Sequence, residues 1–116
     1  MRLPHAELAE INPSKIGEYL LSETHPVGKS KARFFREAGF NDSTIELLTG
    51  GLLQIARTQE VVETSATVHG LKYVLEGELQ APTGRRLRLR TIWIVDQGQD
   101  RPRFVTAYPA SGEKRL

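Results

Sequence analysis

A chain of 116 residues, 39% hydrophobic and 26% charged, has the size and balance of one globular α+β domain and leaves no room for two. It contains no cysteine, which excludes a disulfide framework, a thiolate zinc site and a cysteine nucleophile. No apolar run approaches the ~20 residues that span a bilayer, and Glu7 and Glu10 interrupt the stretch where a signal peptide would be apolar, so a cytoplasmic protein without a membrane partner is expected.

In chain order, residues 1–11 read as an N-terminal arm, 12–58 as a helical part, 59–109 as a sheet and 110–116 as a tail that frays from Ser111. Asn12 and Pro13 have the chemistry of an N-cap and a first helical residue, and Ile16, Tyr19 and Leu20 continue at helical spacing to about Leu21. Pro26 and Gly28 make the next segment a turn. A second helix is predicted from Lys29 to Ala38, stopped by Gly39. The third starts near Ser43, with Ser43 and Glu46 at capping-box spacing, and runs to Thr58 with a possible kink at Gly50-Gly51.

Beyond Thr58 the period changes from helical to alternating. Strands are predicted over Glu60–Val68, Leu71–Leu79, Arg86–Val95 and Phe104–Tyr108, separated by the turn signals His69-Gly70, Ala81 to Gly84 and Gln97 to Pro102. Connections this short require antiparallel pairing. The predicted architecture is three N-terminal helices packed on a four-stranded antiparallel meander sheet.

Net charge is only +2, but the cations are grouped. Lys29, Lys31, Arg33 and Arg36 follow one another with no acid between them, and so do Arg85, Arg86, Arg88 and Arg90. On the third strand, Leu87, Leu89, Thr91, Trp93 and Val95 point to one face, and Arg86, Arg88, Arg90, Ile92 and Ile94 to the other. Such grouping suits an anionic partner, RNA foremost, although arginine stems on a solvated face would give the same pattern.

No phosphate loop, histidine metal pair or nucleophile elbow is present, so neither a metal nor a cofactor is expected. His25 is the candidate base, because an imidazole titrates near neutrality and stands just ahead of Lys29, Lys31 and Arg33. A metal-free ribonuclease needs that base, positive charge on the phosphate, and an acid for the leaving oxygen. Thr106 and Tyr108 on the last strand supply hydroxyls beside the arginines of the third.

The segments His25 to Phe35, Arg90 to Val95 and Pro102 to Tyr108 together resemble an uncharacterised bacterial family of small toxin-like proteins, encoded beside a small β-rich partner. In topology the chain is similar to the barnase–EndoU–colicin–RelE superfamily of metal-independent ribonucleases. That resemblance implies RNA as substrate and a small antitoxin-like protein encoded nearby as partner. His25, Lys31, Arg33, Arg90, Arg103, Thr106 and Tyr108 fall in the family's motifs. Taken with the basic clusters, catalysis is expected of His25, Lys31, Arg90, Thr106 and Tyr108, and RNA binding of Lys29, Arg33, Arg88 and Arg103. Ser30 stands where relatives are expected to carry a second histidine, which leaves Lys31 or Tyr108 to act as the acid. The alternative is a non-catalytic binding module or adaptor that holds an acidic protein or nucleic acid on its basic sheet face.

Overall fold

The computed structural model describes residues 1–22 and 29–110. Among them, three helices lie N-terminal to a four-stranded antiparallel meander in the order β1-β2-β3-β4, the predicted α+β arrangement. The strands are β1 (Val61–Ala66), β2 (Gly70–Gln80), β3 (Arg86–Asp96) and β4 (Arg103–Pro109). Each lies within two residues of its prediction; β1 ends at Ala66, where Thr67 turns the chain by accepting and donating backbone hydrogen bonds with Gly70. The predicted fraying from Ser111 concerns residues outside those described.

Helix α1 (Pro13–Lys15) begins as predicted: the Asn12 carboxamide accepts from the Ser14 amide at 3.0 Å, and Pro13 has no amide to leave unsatisfied. It does not continue as an α-helix. From Ile16 to Leu20 the turn widens to π, closed by a 2.8 Å bond from the Leu21 amide to the Ile16 carbonyl. The wider turn brings Leu21 back beneath Ile16, and Ile16, Leu20 and Leu21 are all fully buried. Burial of a third apolar side chain, stabilising by roughly 1.5–3 kcal/mol, supports the widened turn.

Helix α2 (Lys29–Glu37) buries Ala32 and Phe35 and ends one residue before the predicted Ala38. Gly39 at φ 102° forms its stop, with the Gly39 amide on the Arg36 carbonyl and the Phe40 amide on that of Phe35. Helix α3 (Ile45–Thr58) is entered through a 3-10 turn over Asp42–Thr44, so its capping pair lies earlier than the predicted Ser43 and Glu46. Asn41 accepts from the Ser43 amide, and the Asn41 amide donates to Thr44 Oγ1, both at 2.8 Å.

The core lies between the helices and one face of the sheet. There Leu87, Leu89 and Trp93 of β3 meet Leu48, Leu52 and Ile55 of α3. Trp93 packs edge-on against Phe104 at 5.3 Å, and its indole N–H donates to the buried Thr91 hydroxyl at 3.0 Å. The arm crosses from one sheet edge to the other: the Val61 amide donates to the Met1 carbonyl at 2.7 Å, and the Phe104 amide donates to that of Glu10 at 3.0 Å. Leu3 and Ala9 are buried along its path.

The Gly50-Gly51 pair does not break α3, which runs unbroken from Ile45 to Thr58. Gly51 faces the sheet, and a Cβ there would fall 2.9 Å from Leu79 Cδ2; Gly77 of β2 faces the helix, and a Cβ there would meet Gln59 Cγ at 2.9 Å and Ile55 Cγ1 at 3.0 Å. Two missing side chains thus let helix and strand approach each other. Gly50 has no neighbour within 4 Å of such a Cβ. We predict that Gly77→Ala destabilises the fold by about 1–3 kcal/mol through overpacking, whereas Gly50→Ala stabilises it by up to about 1 kcal/mol through helix propensity. Denaturant midpoints of both variants, compared with the parent, test the pair; equal shifts would show that the approach is loose.

Candidate functional site

The arginines of β3 are not an open basic strip. The register sets Arg90 opposite Glu76 of β2, Arg88 opposite Glu78 and Arg86 opposite Gln80. Arg90 donates to Glu76 at 2.9 Å and to Glu63 of β1 at 2.8 Å. Arg88 reaches Glu76 at 3.5 Å, and Arg86 reaches Glu78 at 3.4 Å. These three cations and three carboxylates form a cross-strand ladder whose charges cancel. Pairs of this kind add about 0.2–1 kcal/mol each to strand pairing. On the same face Val74 and Ile94 are buried and Ile92 is half-buried, so the split into arginine and isoleucine ends is real.

Arg103 opens β4 opposite Ile94, and Asp96 holds its guanidinium through two bonds of 2.6 and 3.1 Å. The bond from Arg103 keeps the Asp96 carboxyl below its ordinary range and, reciprocally, raises the guanidinium. A different cause acts at Glu60, where the N-terminal ammonium, and then Arg2, lower the carboxyl.

The last strand carries the two predicted hydroxyls on the arginine face: Tyr108 is the register partner of Arg90, and Thr106 that of Ile92. Val105 bulges out of the ladder between Phe104 and Thr106. At this bulge the two halves of the chain meet. Tyr19, presented by the π turn, shares a 3.2 Å hydrogen bond with Thr106 Oγ1. Two ammonium groups stand by the Tyr19 ring, Lys15 Nζ at 5.4 Å and Lys31 Nζ at 5.7 Å from its centre. Neither lysine has a carboxylate partner among the described residues. Two cations, a phenol and a secondary hydroxyl therefore gather where the ladder ends, with no carboxylate paired to those cations among the described residues.

Of the predicted residues, Lys31 and Thr106 are brought to one cluster around Tyr19. Arg90 and Tyr108 are paired across β3 and β4 on the adjoining sheet face, and Arg88 lies further along it. Arg103 lies beyond the bulge, and Arg33 is exposed on α2. Lys29 opens α2, and His25 lies outside the described residues. Lys15 and Tyr19 are members that sequence reasoning missed. Tyr19 enters the sequence reading only through its helical spacing, and the one signal of a cation over a ring is the i, i+4 spacing of a lysine before a tyrosine.

A cleft of about 410 Å³ opens beside Lys15, between the end of the arm and the start of β4. Among the described residues no group of three or more His, Asp or Glu side chains is placed to hold a metal, and no helix is long and apolar enough to cross a membrane.

The fold is thus that of a small α+β domain with a helical half clamped to a meander. The chain belongs to the family described as Domain of unknown function (DUF6883), whose model matches residues 2–111. It is also similar to a chain in a solved contact-dependent growth inhibition toxin–immunity protein complex from Klebsiella pneumoniae 342. The identity is 16%, the TM-score 0.71, and the match covers 92% of this chain and 97% of that one. At that identity the likeness concerns the fold. No curated protein matches the chain.

The Asp96–Arg103 pair generates a pH prediction. Because the folded carboxyl titrates below its ordinary value, the pair stabilises the fold above that value, and the contribution is lost as pH falls through the lowered one. The stability gap between the parent and Asp96→Asn should stay constant from neutrality down to about pH 5 and close below about pH 4. Denaturant midpoints across that range check it; a gap that persists in acid would show that the side chain acts through packing and not through charge.

Proposed function

We propose that this protein is a toxin-like, metal-independent endoribonuclease that holds the RNA backbone at the Tyr19 cluster. The observation that supports the reading most is the charge there. The arginines of β3 are answered by Glu63, Glu76 and Glu78, whereas Lys15 and Lys31 converge on one ring with no carboxylate partner among the described residues. Two like charges gathered at one ring favour an anion, and a phosphodiester is complementary to ammonium and hydroxyl groups.

In this reading His25 takes the proton of a ribose 2′-hydroxyl, whose oxygen then attacks the adjacent phosphorus. Lys31 stabilises the pentacoordinate phosphate, and Arg90 reaches it by exchanging Glu63 for a phosphate oxygen. The bond to the 5′-oxygen breaks as that oxygen receives a proton from Tyr108 or Lys31, with Thr106 holding a phosphate oxygen. The products are a 2′,3′-cyclic phosphate and a 5′-hydroxyl. Lys29, Arg33, Arg88 and Arg103 bind flanking phosphates, so affinity falls with salt.

Similarity to a chain of a toxin–immunity complex supports a second element of the proposal, a small partner protein that restrains the activity. The order of helices before a four-stranded antiparallel sheet is in keeping with the barnase–EndoU–colicin–RelE superfamily. A non-catalytic adaptor that relied on the arginine face alone draws less support, because those arginines are paired within the sheet, whereas the RNA reading centres on Lys15 and Lys31.

The test is incubation of the purified chain, free of any partner, with end-labelled RNA. The parent should cleave it, His25→Ala should slow cleavage about a hundredfold or more, and Lys31→Ala should weaken both cleavage and binding. Intact RNA after prolonged incubation with the parent would end the catalytic reading.

A further inference from the structure

The two edges of the sheet are finished differently. Along β4 the Glu10 backbone bonds to Pro102 and Phe104, Val105 bulges, and Pro109 ends the strand. Cover, bulges and prolines are the ordinary means by which an edge refuses another strand. On β1 the arm reaches Glu60 and Val61, and the bulge lies beside it at Val62. From Val62 to Gly70 the chain carries no proline, lysine or arginine. Thr67 and Gly70 exchange both backbone bonds across the turn, at 2.8 and 3.3 Å. The register that follows turns the backbone of Ser65 and Glu63 toward Lys72 and Val74 of β2, so the N–H and C=O groups of Thr64 and Ala66 point outward. Among the described residues these four groups have no partner.

The side chains at this edge are of one kind. Thr64 and Ala66 lie opposite Tyr73 and Leu71, on the face of the sheet that carries the helices. Leu71 is 43% exposed, Val62 53% and Val68 87%, so three of the five large apolar side chains exposed among the described residues belong to this one hairpin. Apolar surface gathered in that way marks an interaction site. The ionisable side chains from Val62 to Gly70 are Glu63, bonded to Arg90, and His69. The edge therefore has little charge with which to choose an acidic or a basic strand. It offers open backbone groups and small, β-branched side chains, which suit a strand of the same composition.

We infer that β1 docks on β1 of a second copy of this chain, antiparallel about a two-fold axis at Ser65, so that the two sheets join into one of eight strands. The edge is self-complementary about that residue. Thr64 faces Ala66 of the second copy and exchanges both backbone bonds with it, which satisfies all four outward groups on each side. Val62 faces Val68, and Glu63 faces Thr67, so no like charges oppose each other. An axis at Thr64 would set Val68 against Glu60, and one at Ala66 would set Val62 against Gly70 and lose the apolar match. The Tyr19 clusters, beside β4, remain at the two outer edges of the joined sheet. The inference stands apart from the RNA reading and does not rest on it.

One strand pair is a small interface, so sedimentation velocity of the whole chain from about 1 μM to about 1 mM should pass from one chain to two. Ala66→Pro removes an outward amide and no bond to β2, and Thr64→Lys places a cation on the edge; each should weaken the dimer at least about tenfold. The denaturant midpoint of each variant, measured dilute, should stay near that of the parent. Because the chain has no cysteine, Ser65→Cys supplies one thiol per copy. It stands in a non-hydrogen-bonded pair whose Cα atoms lie about 4.5 Å apart, within disulfide reach. Under oxidation it should cross-link at least about tenfold faster than Gln54→Cys on the exposed side of α3. A single chain at every concentration would overturn the inference and leave the edge to a strand of another protein. A dimer unmoved by both edge variants would place the contact elsewhere and overturn it equally. Cross-linking of Ser65→Cys no faster than that of Gln54→Cys would overturn the two-fold about Ser65.

Discussion

The close approach of α3 to β2, permitted by Gly51 and Gly77, is the constraint on which the rest of the molecule depends. With Leu79 seated against Gly51 and Ile55 against Gly77, the helix lies near enough to the sheet for Leu48, Leu52 and Ile55 to reach the side chains of β3. Interiors packed to crystal-like density tolerate little slack at such a contact. The π turn lies beside α3 in its turn: a Cβ added at Gly17 would come 3.9 Å from Ile45 Cδ1. The distance between Tyr19 and Thr106 is therefore inherited from a contact on the other side of the helical layer. A hydrogen bond of 3.2 Å across 87 residues of sequence survives only if that layer sits at one height.

Much of the architecture was legible in the sequence, and for definite reasons. Leu87, Leu89, Thr91, Trp93 and Val95 alternate with arginines and isoleucines, and a half-buried strand has no other stable arrangement. Asn12-Pro13 and Gly39 punctuate helices through chemistry that needs no tertiary context. The departures are equally physical. The π turn follows from burying Leu21 together with Ile16, a gain that helical periodicity does not anticipate. The capping pair lies at Asn41 and Thr44 because a 3-10 turn precedes α3, and the side-chain oxygens of those two residues are the ones that reach its free amides.

The site was legible only in part. The cations of β3 looked available because strand sequences are read singly, whereas charge is decided between strands. Glu63, Glu76 and Glu78 were visible as acids, but their cancellation of Arg86, Arg88 and Arg90 depends on register. Conversely, Lys15 and Tyr19 were unremarkable positions on a short helix. They acquired meaning when the bulge at Val105 placed Thr106 within reach of the phenol. A charge count along the chain gives the sign of a partner, and three-dimensional pairing decides which of those charges remain to meet it.

The arm that joins the two edges of the sheet bears on the order in which the molecule assembles. The three hairpins of the meander bring together residues near in sequence, and their loops close at little entropic expense. The arm, by contrast, fastens Arg2 to Glu60 and the Leu8 carbonyl to Arg101, 58 and 93 residues away. Both docking places exist only once β1 and β4 have formed. The opening residues of the chain are accordingly the last to settle, and until they do the two flanking strands keep unsatisfied backbone groups at the ends that the arm will cover.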